Sequence, residues 1–220
     1  MLETPVIIVN YKTYGDSIEK KALELTRTIE KESKKNWAVC PQPTDIRMLS
    51  ENTDVPLLAQ HIDAVEPGSN TGHILLESVK SAGVHGTLIN HSERRLKLSS
   101  IEKIVERCKE NDLETIICAN NPGVAASAAA LDPGYVAYEP PELIGGDVSV
   151  SSAKPEVVKE AVEKVKEVNS NVKVLCGAGV KNGEDVKTAL DLGTEGVLLA
   201  SGLVKSEKKK EVIRDLESGL

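Results

Sequence analysis

The feature that most constrains this chain is an alternation. Eight short β-branched runs recur from end to end, each separated from the next by a segment of helical period. The runs are Val6–Val9, Trp37–Cys40, Val55–Ala59, Gly86–Asn90, Thr115–Cys118, Tyr135–Tyr138, Val172–Cys176 and Gly196–Leu199. Between them, apolar residues fall three and four apart: Ile18, Ala22, Leu25 and Ile29; Ile101, Ile104, Val105 and Cys108; Val158, Ala161, Val162 and Val165. That spacing predicts one buried face per helix. Asp16 three residues before Glu19, Ser99 three before Glu102, and Pro155-Glu156 after Ser151-Ser152 read as helix starts.

Strand–helix alternation favours a parallel sheet with helical crossovers, and eight units in 220 residues leave about 27 residues per unit. The expected fold is α/β, a (β/α)8 barrel of eight parallel strands with shortened helices, forming a single domain over residues 1–220. An open doubly wound sheet is the rival. It would carry a glycine-rich turn after the first strand, where this chain has Asn10-Tyr11-Lys12.

Composition narrows the function classes. Lys and Arg total 27 against 34 Asp and Glu, a net charge of −7, and the two signs are interleaved. No basic stripe offers itself to nucleic acid. The first apolar run is too short for a leader or a membrane span, so the expectation is a cytoplasmic protein. The four cysteines are widely spaced, with no zinc-like pattern, and read as reduced thiols. Phe is absent, so Val, Ile, Leu and Ala must fill the core.

In both parallel architectures the ligand lies at the carboxyl ends of the strands. Those ends carry Asn10 and Lys12 after the first run, Gln60 and His61 after the third, and Asn90, His91, Ser92 and Glu93 after the fourth. Glu139 follows the sixth, and Gly177-Ala178-Gly179 and Ala200-Ser201-Gly202 follow the last two. Glu139, before a loop with prolines at one end and glycines at the other, fits a general base under a lid or a solvated carboxylate. His91 fits a neutral hydrogen-bond donor at the start of a helical turn over residues 92–95, or a structural imidazole. Lys12 fits an anion-binding cation, a partner for Glu93 or a surface side chain. The two small-residue turns let backbone N–H groups approach a phosphate. His61, His73 and His85 read as structural.

Asn10-Tyr11-Lys12, Asn90-His91-Ser92-Glu93-Arg94, and Tyr138-Glu139-Pro140 followed by Ile144-Gly145 stand in this order with the paired small-residue turns. In that pattern the chain resembles the triosephosphate isomerases, and its short length resembles their archaeal branch. The resemblance spans the whole chain. It implies the TIM-barrel fold, no cofactor and no metal, and interconversion of dihydroxyacetone phosphate and glyceraldehyde 3-phosphate through an enediolate, in glycolysis and gluconeogenesis. By the same resemblance Glu139 is the base, His91 the electrophile and Lys12 the cation, with Asn10 and Tyr11 beside it. Glu93 and Arg94 support them, Ile144 and Gly145 close over the substrate, and Gly179, Ala200 and Ser201 cradle the phosphate. Pro67–His73 resembles the family's intersubunit loop and implies a homo-oligomer, dimer or tetramer.

Two departures stand out. Glu142 replaces an aromatic lid residue of most bacterial and eukaryotic relatives, and the turn after the seventh strand is poorer in glycine and serine. A metal-dependent epimerase would need more than His61 and Asp63, and a Schiff-base aldolase would carry a lysine on a later strand. A barrel kept only for binding would be expected to have lost part of the Lys12, His91 and Glu139 set.

Overall fold

The computed structural model describes residues 2–140 and 154–220. Its strands are β1 (Val6–Asn10), β2 (Asn36–Cys40), β3 (Leu58–Ala59), β4 (Gly86–Ile89), β5 (Glu114–Ala119), β6 (Tyr135–Tyr138), β7 (Lys173–Cys176) and β8 (Gly196–Leu199). The helices are α1 (Glu19–Glu32), α2 (Ile46–Ser50), α3 (Leu76–Ala82), α4 (Leu98–Glu110), α5 (Pro122–Ala129), α6 (Pro155–Val168), α7 (Gly183–Asp191), α8 (Ser201–Val204) and α9 (Lys209–Ser218).

Every strand pair is parallel, in the order β2-β1-β8-β7-β6-β5-β4-β3. A parallel bridge between Val39 and Leu57, with Val39 N–H donating to the Pro56 carbonyl at 3.0 Å, joins the two ends into a barrel. The carboxyl ends of all eight strands therefore share one rim. The third strand is shorter than the run Val55–Ala59 suggests. Pro56 has no N–H to give to a ladder, so regular pairing starts only at Leu58.

Side chains alternate across the barrel wall. Val6, Ile8, Ala38, Cys40, Leu58, Leu88, Ile116, Cys118, Tyr135, Ala137, Leu175 and Leu198 form the interior cluster. Their neighbours Ile7, Val9, Val39, Ile89, Ile117, Val136, Val174 and Val197 join the layer beneath the helices. This is the period of two expected of a strand buried on both faces. Each buried Val, Leu or Ile contributes roughly 1.5–3 kcal/mol to folding.

The helix stripes lie inward, with two corrections. Ile18 is 40 % exposed and stands before α1, leaving Ala22, Leu25, Thr26 and Ile29 as the buried face. Neither Asp16 nor Ser99 caps a helix. The first N–H of α1, from Glu19, is bound by the Asp45 carboxylate at 3.0 Å, and Ser99 lies inside α4. A partner 26 residues away outweighs the local capping pattern. Pro155 opens α6 as expected. The Glu217 carboxylate of α9 accepts from the Lys34 N–H at 2.6 Å, the Lys35 N–H at 2.8 Å and the Trp37 indole at 3.3 Å, tying the last helix to the start of β2.

Burial pushes the thiols of Cys40, Cys108 and Cys118 above their ordinary value of 9.0, Cys108 to about 12, and raises the phenols of Tyr11 and Tyr135. A raised value in the folded state means that the native form holds these protons more tightly. The associated stability is full below about pH 9 and falls as pH rises further. The melting temperature should therefore decline above that pH. An aromatic disulfide reagent at pH 8 should label none of the four cysteines until denaturant is added; rapid labelling of the native protein would contradict their burial.

Candidate active site

Chain parity aims the first site residue. In β1, Val6 and Ile8 face the interior and Ile7 and Val9 face the helices, so Asn10 points inward and Tyr11 outward. Tyr11 is fully buried against α1, its hydroxyl 2.8 Å from Thr26 Oγ1, and does not line the cleft. Its expected place beside the ligand is thus corrected. Tyr14 lines the cleft instead, with Lys205 Nζ 4.6 Å from its ring centre.

Lys12 occupies left-handed backbone, with φ of 48°. For a side chain other than glycine such a conformation costs ~1–3 kcal/mol and persists where the surroundings over-determine it. Here Asn10 Oδ1 accepts the Lys12 N–H at 3.0 Å, and the Lys12 carbonyl accepts from Gln42 Nε2 and, at 2.9 Å, from Gln60 Nε2. The ammonium emerges into the cleft and meets Glu93 Oε1 at 2.9 Å.

His91 follows β4 and a second left-handed residue, Asn90, with φ of 58°. Asn90 is fixed by three bonds: Nδ2 to the Cys118 carbonyl at 3.0 Å, Leu96 N–H to Oδ1 at 3.0 Å, and Arg95 Nη1 to its carbonyl at 2.8 Å. Residues 91–94 form a turn closed by Arg94 N–H on the His91 carbonyl at 2.8 Å, and no helix starts over 92–95. The expected helix dipole is therefore absent. A different contact defines the imidazole: Nδ1 accepts the Glu93 N–H at 3.2 Å. An accepting Nδ1 keeps its lone pair, which puts the ring proton on Nε2.

Nε2 faces Glu139 Oε1 at 3.5 Å. Glu139 is buried just past β6, its own N–H held by the Ala119 carbonyl at 2.8 Å, and its Oε2 has no hydrogen-bond partner among the described residues. Beneath it lie Cys40 and Cys118, whose thiols are raised first by burial and then by the Glu139 charge. Gly177 makes the room. A Cβ there would stand 2.5 Å from Glu139 Cγ, closer than packed carbons approach.

Lys12, His91 and Glu139 converge on one cleft with Asn10, Gly177–Lys181 and Leu198–Gly202. Gly179, in left-handed backbone with φ of 73°, Ala200 and Ser201 line the same cleft. Ser201 opens α8, and first-turn N–H groups of a helix have no partner within it. Ile144 and Gly145 lie outside the described residues. Arg94 sits on the adjoining rim, its guanidinium 3.3 Å from Asp63, which also pairs with His61 Nε2 at 3.0 Å and accepts the Ile74 N–H at 2.7 Å. Burial would raise the Asp63 carboxyl; the Ile74 N–H, His61 and Arg94 outweigh it and hold it below the ordinary range. Gln42 and Gln60 carry no residue-type signature for chemistry. Their positions just past β2 and β3 were the only sign of a role.

Fold and site together define a class: a (β/α)8 barrel whose strand ends gather a lysine, a histidine and a glutamate beside small-residue turns. Comparison with known proteins narrows it. Residues 5–216 match the family described as triosephosphate isomerase. The triosephosphate isomerase of Methanocaldococcus jannaschii is 54 % identical over 214 residues, covering 96 % of this chain and 98 % of the relative. That of Methanothermus fervidus is 50 % identical over 218 residues, covering 98 % of each. The crystal structure of triosephosphate isomerase from Bartonella henselae superposes with a TM-score of 0.77 at 18 % identity, over 97 % of this chain and 96 % of that one, a likeness of fold. The chain belongs to the triosephosphate isomerase family.

The contact at Gly177 yields a test. Gly177→Ala should displace Glu139 while leaving the barrel folded, lowering kcat by about 100-fold, the cost of roughly an ångström of misplacement. Unchanged kcat in a folded variant would show that the carboxylate needs no such clearance.

Proposed function

We propose that this isomerase interconverts dihydroxyacetone phosphate and D-glyceraldehyde 3-phosphate with Glu139, His91 and Lys12 as its catalytic groups. The observation that carries the reading is the apposition of His91 Nε2 and Glu139 Oε1 at 3.5 Å in a cleft that Lys12 also enters. Glu139 takes a proton from the carbon next to the carbonyl, the Nε2–H of neutral His91 donates to the carbonyl oxygen, and an enediolate forms. Return of the carbon-bound proton to the neighbouring carbon, with transfer of the hydroxyl proton from the first carbon's oxygen to the former carbonyl oxygen, gives the aldose. These are the roles known for the family.

Lys12 stabilises the charge that develops on oxygen and holds the phosphate side, with Asn10 and Glu93 positioning it. Gly179, Ala200 and Ser201 offer the phosphate small side chains and backbone N–H groups. Ile144 and Gly145 belong to a lid that excludes water from the enediolate, which would otherwise lose its phosphate. The reaction asks nothing of a metal or organic cofactor.

Assembly as a homo-oligomer, dimer or tetramer, completes the reading. Residues 66–69 and 71–73 are exposed on a loop pinched at its base by Asp63 and Ile74. A recess lined by Gln42, Pro43, Gln60, Glu93 and Arg94 lies beside it. A loop on one copy and a recess on another suit a self-complementary contact. No helix among the described residues is long and apolar enough to cross a membrane, in keeping with a cytoplasmic role in glycolysis and gluconeogenesis.

Purified protein should interconvert the two triose phosphates in a coupled assay, with a chelator present throughout. Glu139→Asp or Lys12→Met should each lower kcat/KM by about 10²- to 10⁴-fold. Full activity in both variants, or activity abolished by the chelator, would overturn the mechanism. Sedimentation equilibrium should give a mass at least twice 23.6 kDa; a monomer at assay concentration would overturn the assembly.

A further inference from the structure

The hydrogen bonds around the Lys12 carbonyl have a reach beyond local stability. Gln42 lies two residues past β2 and Gln60 one residue past β3, and both side chains converge on residue 12, which follows β1. Gln42 Nε2 carries two protons, one donated to the Lys12 carbonyl and one to Gln60 Oε1 at 3.1 Å. Gln60 Nε2 also carries two, donated to the Lys12 carbonyl and to the Cys40 carbonyl, each at 2.9 Å. All four amide protons are used. Neither side chain can turn over without losing two bonds, so the pair forms a rigid bracket under the carbonyl.

That carbonyl belongs to a left-handed residue, and the opposite side of the same residue is held by Asn10 Oδ1. Relaxation of φ from 48° to the ordinary negative range would swing the Lys12 side chain away from the His91 side of the cleft. The bracket opposes that rotation. The geometry points to Gln42, acting with Gln60, as a positioning residue that keeps the Lys12 ammonium aimed at the substrate by locking its backbone. This rests on the role proposed for Lys12.

Gln42→Met keeps length and volume while removing the donor; Gln60→Met does the same for its partner. Each should lower kcat/KM by about 10- to 100-fold, and the double variant should lose less than the product of the two, because they hold one carbonyl. The decisive measurement is Gln42→Met made in the Lys12→Met protein and assayed at high enzyme concentration. No further loss there shows that Gln42 acts through Lys12. An equal further loss shows general structural support and overturns the proposal, as does a loss under threefold in the single variant. A crystal structure of Gln42→Met reads the same point without activity, by whether φ of residue 12 leaves the left-handed region or Nζ leaves Glu93. If wild-type protein lacks isomerase activity, the functional reading fails. The bracket is then judged on that structure alone: unchanged residue 12 overturns it, and a relaxed one supports it.

Discussion

The site depends on closure of the strand ring at a thin seam, between β2 and β3, where as between β7 and β8 a single residue pair is in register. Elsewhere along β1–β2, β4–β5, β5–β6 and β6–β7, four or five residues pair in register. At this seam the backbone offers one bridge, Val39 to Leu57. Lys12 leaves β1 on one side of the seam and His91 leaves β4 on the other, so a gap there would part the cation from the imidazole. Two further contacts reinforce it above the bridge. Gln60 donates across to the Cys40 carbonyl, and Gln42 donates across to Gln60. The amides that complete the seam are the ones that hold Lys12, so local stability and the aim of the cation share the same bonds.

The interior explains how a core with no Phe can still be full. An eight-stranded barrel is just wide enough for inward side chains to meet, and the residues that meet here are mostly Val, Ile, Leu, Ala and Cys. Tyr135 supplies the one large interior ring. It spans toward the end remote from the site, where its hydroxyl donates to the Leu2 carbonyl at 3.0 Å. Near Glu139 the interior carries the small side chains of Cys40 and Cys118. Chain length is saved outside the barrel, in helices as short as the four residues of α8, the five of α2 and the seven of α3.

Much of this was legible in the sequence because each strand is a compact apolar run and each long helix carries one stripe. Ile101, Ile104, Val105 and Cys108 are all buried along α4, as their spacing demands. The convergence of Lys12, His91 and Glu139 on one cleft was legible because they are chemically conspicuous residues placed just past strands. Tyr11 was misplaced although strand parity pointed it outward; proximity in sequence to Lys12 is not proximity in space. The caps of α1 and the setting of His91 were hidden for another reason. Asp45 acts across 26 residues, which local patterns do not record, and the Glu93 N–H reaches His91 within a tight turn whose shape the residue types do not announce. Gln42 was hidden, and Gln60 was left without a role, because an uncharged amide has no signature until its two protons are traced.

The charge pair at the rim shows why backbone positioning matters. Lys12 is nearly buried, at 12 % exposure, while Glu93 is 61 % exposed. An ion pair with one solvated partner stabilises weakly, on the order of 0–1 kcal/mol, and is screened by salt. Such a grip cannot by itself hold a flexible four-carbon side chain against its rotamer entropy, which for lysine is about 2 kcal/mol. A stronger carboxylate grip would fix the ammonium but would also compete with an incoming phosphate. A left-handed residue held by Asn10, Gln42 and Gln60 resolves the conflict. The direction of the side chain is set from its root, and the charge at its tip stays available to an anion.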